Sequence, residues 1–329
     1  RVEECVIRAL SSWMLGRAEA VLPPALEAEQ LMSKLGPSDT GTDYLLRRAT
    51  CSARIGALME LGRYGEFASE LQSELQHVRA IDHRAAVLLL ALNETILDEL
   101  LDRRQDVVER LDQQRCDLPP VDFSVYHALH MIAVCRAGGL SGQHRWALEL
   151  LERDWPRFVR SPLRKAGNIA LHARHARVHL LVTEHILTSR SIKNVPREIQ
   201  SELRFLRAYD ARGLVVSLHE SARLALATDD RATAIALMQR ACEHKGSGVH
   251  SDRARHALGM LMGGQQGAEL CASSEQAMRA RGLLQVTGGD PIGIMMGPSA
   301  TSKLIEQVRH ELDLDQPLSA SGTRGGSDE

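Results

Sequence analysis

Three histidines, His172, His175 and His179, have a spacing that could suit a metal-binding site. They recur at i, i+3 and i+7, so a helix would place their imidazoles on one face, where two of them could approach a single metal ion. Zinc needs a third or fourth ligand, however, and the sequence has neither an HExxH motif nor an acidic residue nearby on that face. The pattern favours a packed or solvated histidine stripe, and we predict no metal site.

The same stretch of the chain is cationic. No Asp or Glu occurs from Trp155 to Thr183, whereas basic residues are frequent there: Arg157, Arg160, Arg164, Lys165, Arg174 and Arg177. Such a patch could dock a phosphorylated segment, an acidic protein surface or nucleic acid. Because few aromatic residues are available to stack bases, nucleic acid ranks last. The predicted partner-binding residues are Arg164, Lys165, Arg174 and Arg177. The simpler alternative, which we favour, is a solvated helix face whose acidic partners lie on a neighbouring helix.

Catalytic motifs are absent from the sequence. A phosphate-binding loop needs spaced glycines followed by a Lys-Ser or Lys-Thr pair, and Gly246-Ser247-Gly248 has neither the spacing nor the lysine. There is no glycine-framed serine elbow, no catalytic cysteine signature, and no His-Arg-Asp or Asp-Phe-Gly kinase motif. We therefore predict that this chain is not an enzyme and binds no cofactor.

The elements that carry these residues are predicted to be helices. Apolar residues recur at three- and four-residue spacing along the 329-residue chain, which is 44% apolar but only 3% aromatic, as expected for closely packed helices. Prolines such as Pro23-Pro24 are predicted to mark helix boundaries. Turns, spaced mostly by about 35 to 45 residues as in paired-helix repeats, are predicted at Leu61-Gly62, 101–103, 138–142, Asp229-Asp230 and Gly263-Gly264.

The segment from Ser217 to His244 carries the clearest repeat. Leu218, Ala222 and Ala225 precede its turn, and Ala234, Ile235, Met238 and Ala241 follow it. This pattern resembles that of tetratricopeptide repeats, in which small residues let two antiparallel helices approach closely. The predicted fold class is all-α, with antiparallel helix pairs stacked as a tetratricopeptide-like α-solenoid.

Four regions are predicted along the chain. Residues 1–160 would form an N-terminal helical repeat array, and 161–190 a long connecting helix that is unbroken from Leu163 to Thr188. Residues 191–286 would form a C-terminal array, and 287–329 a closing turn, a short helix over 303–314 and a flexible tail. Because the chain opens on Arg1 instead of Met, we expect a region of a longer product, with a catalytic domain upstream.

A more particular resemblance lies in residues 258–298. Gly263-Gly264 is followed by a helix ending in Met278-Arg279-Ala280-Arg281-Gly282, then by Asp290-Pro291 and Met295-Met296-Gly297-Pro298. This series resembles the closing segment of the C-terminal tetratricopeptide region of large multidomain bacterial serine/threonine kinases and related kinase–ATPase signalling proteins. The resemblance implies a sensory or partner-docking arm that follows kinase and nucleotide-binding domains.

The predicted function is a non-catalytic protein-interaction or sensory scaffold, the regulatory arm of a bacterial serine/threonine kinase signalling protein. The alternative is the helical signalling arm of a bacterial transcription regulator whose DNA-binding domain lies outside this chain. A formal charge of −2 gives no global field toward nucleic acid or a membrane, so the expected partner is a protein or peptide. Six separated cysteines without a CxxC pair are expected to be buried thiols in a reducing compartment. Because no apolar run is long enough to span a membrane, the expected location is the cytoplasm.

Overall fold

The computed structural model describes residues 1–34, 41–101, 103, 106–120, 122–189, 194–244 and 249–282. Within these ranges the chain is all-helical, with fourteen α-helices, one 3-10 turn and no strand. The α-helices are α1 (Val2–Met14), α2 (Ala18–Lys34), α3 (Gly41–Glu60), α4 (Tyr64–Ala80), α5 (Arg84–Leu100), α6 (Val107–Arg115), α7 (Val125–Ser141), α8 (His144–Arg160), α9 (Gly167–Thr188), α10 (Arg197–Tyr209), α11 (Ala211–Leu226), α12 (Arg231–Glu243), α13 (Val249–Met262) and α14 (Gly264–Ala280). The all-α prediction is confirmed.

Local signals place several of the helix ends. The carboxylate of Asp230 caps α12 by accepting a hydrogen bond from the Thr233 backbone N–H at 3.0 Å, as expected for an N-cap aspartate. Gly62, in the turn that follows α3, has a φ of 72°, a left-handed conformation that glycine adopts without a steric cost. The predicted turns at Leu61-Gly62, Asp229-Asp230 and Gly263-Gly264 are confirmed.

Two boundary predictions are wrong. Pro23 and Pro24 lie inside α2, because the buried faces around Val21 and Ala25 pack this helix against its neighbours and tertiary packing outweighs local propensity. The predicted turn over 138–142 is helical as far as Ser141, and only Gly142 has a positive φ, of 74°. The glycine at position 138 serves helix packing instead, since it lies against Ala147 of α8.

The predicted connecting helix begins later than expected. A 3-10 turn occupies Pro162–Lys165, and α9 starts only at Gly167. The extended backbone of Ser161 and Ala166, with ψ of 156° and 106°, interrupts the helical path on either side of the turn. Proline at the first position of the turn fits there because it lacks an N–H to donate.

The helices are arranged in two layers. Each odd-numbered helix contacts the next odd-numbered helix, from α1 through to α13. Each even-numbered helix from α2 to α12 packs against the two odd-numbered helices that flank it in sequence, and α14 packs against α13. The largest apolar cluster runs from Tyr44 to Leu180 and also includes Met278, so α9 shares its core with the helices that precede it.

The layer of odd-numbered helices curls back on itself. Helix α1 contacts α9, and the end of α14 reaches the turn that precedes α4. There the Arg281 carbonyl oxygen accepts hydrogen bonds from the backbone N–H groups of Tyr64 and Gly65 at 3.0 and 3.3 Å. Segments from the first and second halves of the chain therefore meet.

The cysteines are all free thiols. Cys5 and Cys135 are buried, whereas Cys116 is exposed, so the expectation of buried thiols holds for only some of the six. No helix in the described part of the chain combines the length and apolar composition that crossing a bilayer requires. The predicted closing turn, short helix and tail over 287–329 lie outside the described residues.

Candidate functional site

Charged side chains and histidines line a cavity inside the curled layer of odd-numbered helices. This central cavity has a volume of about 70 Å³, and its polar lining consists of Glu99, Arg136, His175, His179, His219, Glu220 and Arg253. The lining comes from α5, α7, α9, α11 and α13. A second cavity of about 410 Å³ lies between the α1–α2 turn, α3, α9 and α11, and His175 lines both cavities.

Glu99 forms a triad with two arginines from different helices. Arg136 of α7 donates to one carboxylate oxygen of Glu99, and Arg253 of α13 donates to the other at 3.1 Å. Burial alone would raise the pKa of Glu99, but the charges of the two arginines outweigh burial and hold that pKa at about 2. Glu99 is therefore ionised at neutral pH, and it links α5 to α7 and α13.

Glu220 holds a second buried network on α9 and α11. The guanidinium of Arg223 donates to Glu220 at 2.6 Å and to the Thr183 hydroxyl at 2.7 Å, while Nδ1 of His179 lies 3.1 Å from the other Glu220 oxygen. Glu220 and Arg223 are each only 2% exposed. Burial raises the pKa of Glu220, but Arg223 and His179 outweigh that effect and lower it to about 2.

His219 brings a buried imidazole to this cavity. The residue is 7% exposed, and its Nε2 has no hydrogen-bond partner among the described protein atoms. Burial lowers its pKa to about 4, so the imidazole is neutral at pH 7. Burial also lowers the pKa of His175 well below its usual value.

A third charged network borders the second cavity. Glu60 of α3 accepts from Arg212 of α11 at 2.8 Å, and Nε2 of His172 lies 3.7 Å from the other Glu60 oxygen. Arg212 also donates to Asn168 at 3.2 Å. Like the pair between Glu99 and Arg253, this contact joins the first half of the chain to the second.

The three histidines share a face of α9 as predicted, but each has its own surroundings. His172 lies beside Glu60 and His179 beside Glu220, so the acids that the local sequence lacks come from α3 and α11. Among the described residues, no three His, Cys, Asp or Glu side chains are grouped closely enough to hold a metal ion.

The predicted partner-binding residues fall into two pairs. Arg164 and Lys165 are exposed on the 3-10 turn. Arg174 and Arg177 instead donate to the two carboxylate oxygens of Glu202 on α10, and both stack against Trp155. Two of the four arginine and lysine side chains therefore have an acidic partner on the neighbouring helix, which is the simpler arrangement that the sequence left open.

The central cavity was not predicted from the sequence, which did not single out Glu99, Arg136, His219, Glu220 or Arg253 as functional. A signal was nevertheless available, because Glu220 and Arg223 fall at helical spacing on the same face as the apolar Val216 and Leu224. Charged residues on a core-facing phase are rarely fully buried unless they are paired. The pairing itself requires residues from distant helices, which no local pattern reveals.

Compared with known proteins, the chain matches no family model, no curated protein and no solved structure. The geometry of the central cavity is therefore the main basis for a functional interpretation.

Proposed function

We propose that this chain is a non-catalytic sensory and interaction scaffold that binds its ligand in and around the central cavity. The main support for the proposal is a pair of ionic contacts near this cavity that join the first half of the chain to the second. Glu60 meets Arg212 over a separation of 152 residues, and Glu99 meets Arg253 over 154 residues. A ligand that competes for either arginine would alter the association of the two halves of the chain.

Such competition is a physical route for signalling. A ligand shifts a conformational equilibrium only to the extent that it binds one state better than the other. In the closed arrangement Arg253 is held by Glu99, whereas in an opened arrangement its guanidinium would be available. Occupancy would thus be relayed to the ends of the array, including the contact between α14 and the α3–α4 turn.

The protonation states at the cavity support binding over acid–base chemistry. Glu99 and Glu220 both have pKa values of about 2 and both carboxylates are fully engaged. Burial raises the pKa of the Cys135 thiol, so at neutral pH it is not the thiolate that nucleophilic catalysis needs. A general base with a pKa near 7, the value that favours proton transfer, is not among these three groups.

The wider setting is part of the same proposal. We interpret the two layers as a tetratricopeptide-like α-solenoid, because each odd-numbered helix contacts the next and each even-numbered helix from α2 to α12 packs against its two sequence neighbours. The proposed setting is the cytoplasmic regulatory arm of a bacterial serine/threonine kinase signalling protein, with a protein or peptide as relay partner. The alternative is the arm of a transcription regulator. A kinase fold or a helix-turn-helix domain encoded upstream would decide between the two.

The binding role can be tested by ligand-dependent stability. A fluorescently labelled chain would be heated in bacterial extract that ultrafiltration has divided into small-molecule and macromolecular fractions. We expect one fraction to raise the midpoint of thermal unfolding for the wild type and equally for an Arg164→Glu/Lys165→Glu variant. Loss of the effect in that variant would move the contact to the exposed 3-10 turn. If neither fraction raised the midpoint, the binding role would be rejected.

A further inference from the structure

We propose that the central cavity binds a compact oxyanion, the carboxylate or phosphate group of a small metabolite. The inference rests on the proposed binding role and names the chemistry that this site would recognise.

The unused polar groups at the cavity favour hydrogen-bond donation. Both oxygens of Glu99 already accept from arginines, and both oxygens of Glu220 are engaged by Arg223 and His179. In contrast, Nε of Arg136 and Nε2 of His219 have no hydrogen-bond partner in the part of the chain that the structure describes. A guanidinium nitrogen can only donate, and a neutral imidazole donates from Nε2 in one of its two tautomers. A ligand that completes this site must therefore supply an acceptor to Arg136, and it supplies a second one to the Nε2–H tautomer of His219.

The charge balance points the same way. With His175 and His219 neutral, two arginines and two carboxylates line the cavity, and Arg223, which is bonded to Glu220, adds a third positive charge to the network. Because these arginine side chains are buried, an incoming anion interacts with their charges more strongly than it would in bulk solvent. Arginine is also the cation best suited to the planar or tetrahedral oxygens of carboxylate and phosphate.

The size of the cavity limits the ligand. A volume of about 70 Å³ compares with the roughly 10 to 15 Å³ that a cavity needs to hold one water by the same measure, so it admits a few waters or one head group with few further atoms. Cys135, Leu140 and Ala176 provide apolar walls. The rest of a metabolite would extend past His175 into the second cavity, which has a volume of about 410 Å³.

The experiment titrates the purified full chain with inorganic phosphate, acetate and chloride at equal ionic strength, by calorimetry and by thermal unfolding. We expect saturable binding of phosphate or acetate but not chloride, and the stronger of the two identifies phosphate or carboxylate as the natural head group. His219→Leu should weaken that binding by about tenfold or more, the value of one hydrogen bond to a charged group, whereas His219→Gln should retain part of it. Arg204→Met, at an exposed arginine that lines neither cavity, serves as the control and should bind normally.

The unfolding midpoint of the His219→Leu variant without ligand distinguishes a ligand-binding role of His219 from a purely structural one. Because its Nε2 lacks a protein partner, replacement by leucine should leave the midpoint of unfolding without ligand unchanged or raised. A destabilised His219→Leu variant, unchanged oxyanion affinity in that variant, or a response to chloride equal to that to phosphate and acetate would each overturn the proposal. If oxyanions fail to bind while an extract fraction still stabilises the chain, only this inference fails and the wider binding role stands.

Discussion

The triad around Glu99 should be a major contributor to stability, and Glu99→Gln tests this directly. The substitution keeps the size and shape of the side chain but removes the negative charge. Arg136 and Arg253 would then remain beside an amide, only 15% and 12% exposed, without the charge that compensates for their desolvation.

Two independent lines give the magnitude. The pKa of Glu99 falls from 4.5 to about 2 in the folded chain, and at about 1.4 kcal/mol per pKa unit this corresponds to roughly 3 kcal/mol. Removing one partner of a buried ion pair typically costs about 3 to 5 kcal/mol. We therefore expect Glu99→Gln to lower the free energy of unfolding at pH 7 by about 3 kcal/mol, a large part of the roughly 5 to 15 kcal/mol that a folded domain possesses.

Urea unfolding monitored by circular dichroism provides the measurement, with Glu66→Gln as the matched control. Glu66 pairs with Arg63 within α4, but the two side chains are 53% and 47% exposed, so solvent screens the pair and its loss should cost less than about 1 kcal/mol. If Glu99→Gln proved no more destabilising than Glu66→Gln, the triad would not link α5 to α13 as described.

Three further predictions concern stability. Acidification from pH 6.5 to about 4 should lower the free energy of unfolding, because the pKa of His219 is 6.5 in the unfolded chain but about 4 in the folded chain. A plot of the free energy of unfolding against pH should therefore have a smaller slope for His219→Leu than for the wild type. An unchanged slope would show that His219 does not cause this loss of stability. Gly138→Ala should lower the free energy of unfolding by about 1 to 3 kcal/mol through overpacking, since the new Cβ would lie 2.2 Å from a side chain of α8. In the same urea assay Gly65→Ala should be nearly neutral, because the atom nearest to its new Cβ is 3.8 Å away. Asp230→Ala should cost about 1 kcal/mol through loss of the α12 N-cap, and thermal unfolding that matches the wild type would argue against that cap.

Local sequence signals were sufficient for the fold class and for much of the helix pattern. Gly62 and the Asp229-Asp230 turn act within a few residues, through backbone conformation and side-chain capping, so they can be recognised from sequence alone. The start of α9 was misplaced because an apolar spacing continues through Leu163 while the backbone at Ser161 and Ala166 is extended. The prolines of α2 were misread because packing against neighbouring helices determines their conformation.

The candidate site could be predicted only in part. The face shared by His172, His175 and His179 follows from helical periodicity, and it does line the two cavities. Glu60 and Glu220, which complete two of these histidine environments, lie far from them in sequence. Their approach depends on the curl of the odd-numbered layer, which results from the sum of many helix contacts and has no local signature.

The chemistry of the closing contacts supports a role beyond stability. Replacing a buried ion pair by apolar residues of similar volume is often neutral or stabilising, so a purely structural closure between α5 and α13 would not require charge. This chain instead places Glu99 between two arginines beside the unpartnered Nε2 of His219. An arginine held by a carboxylate can exchange that partner for a ligand oxyanion without being left uncompensated, whereas a leucine cannot. The same residues can therefore hold the two halves of the chain together and make their association depend on a ligand.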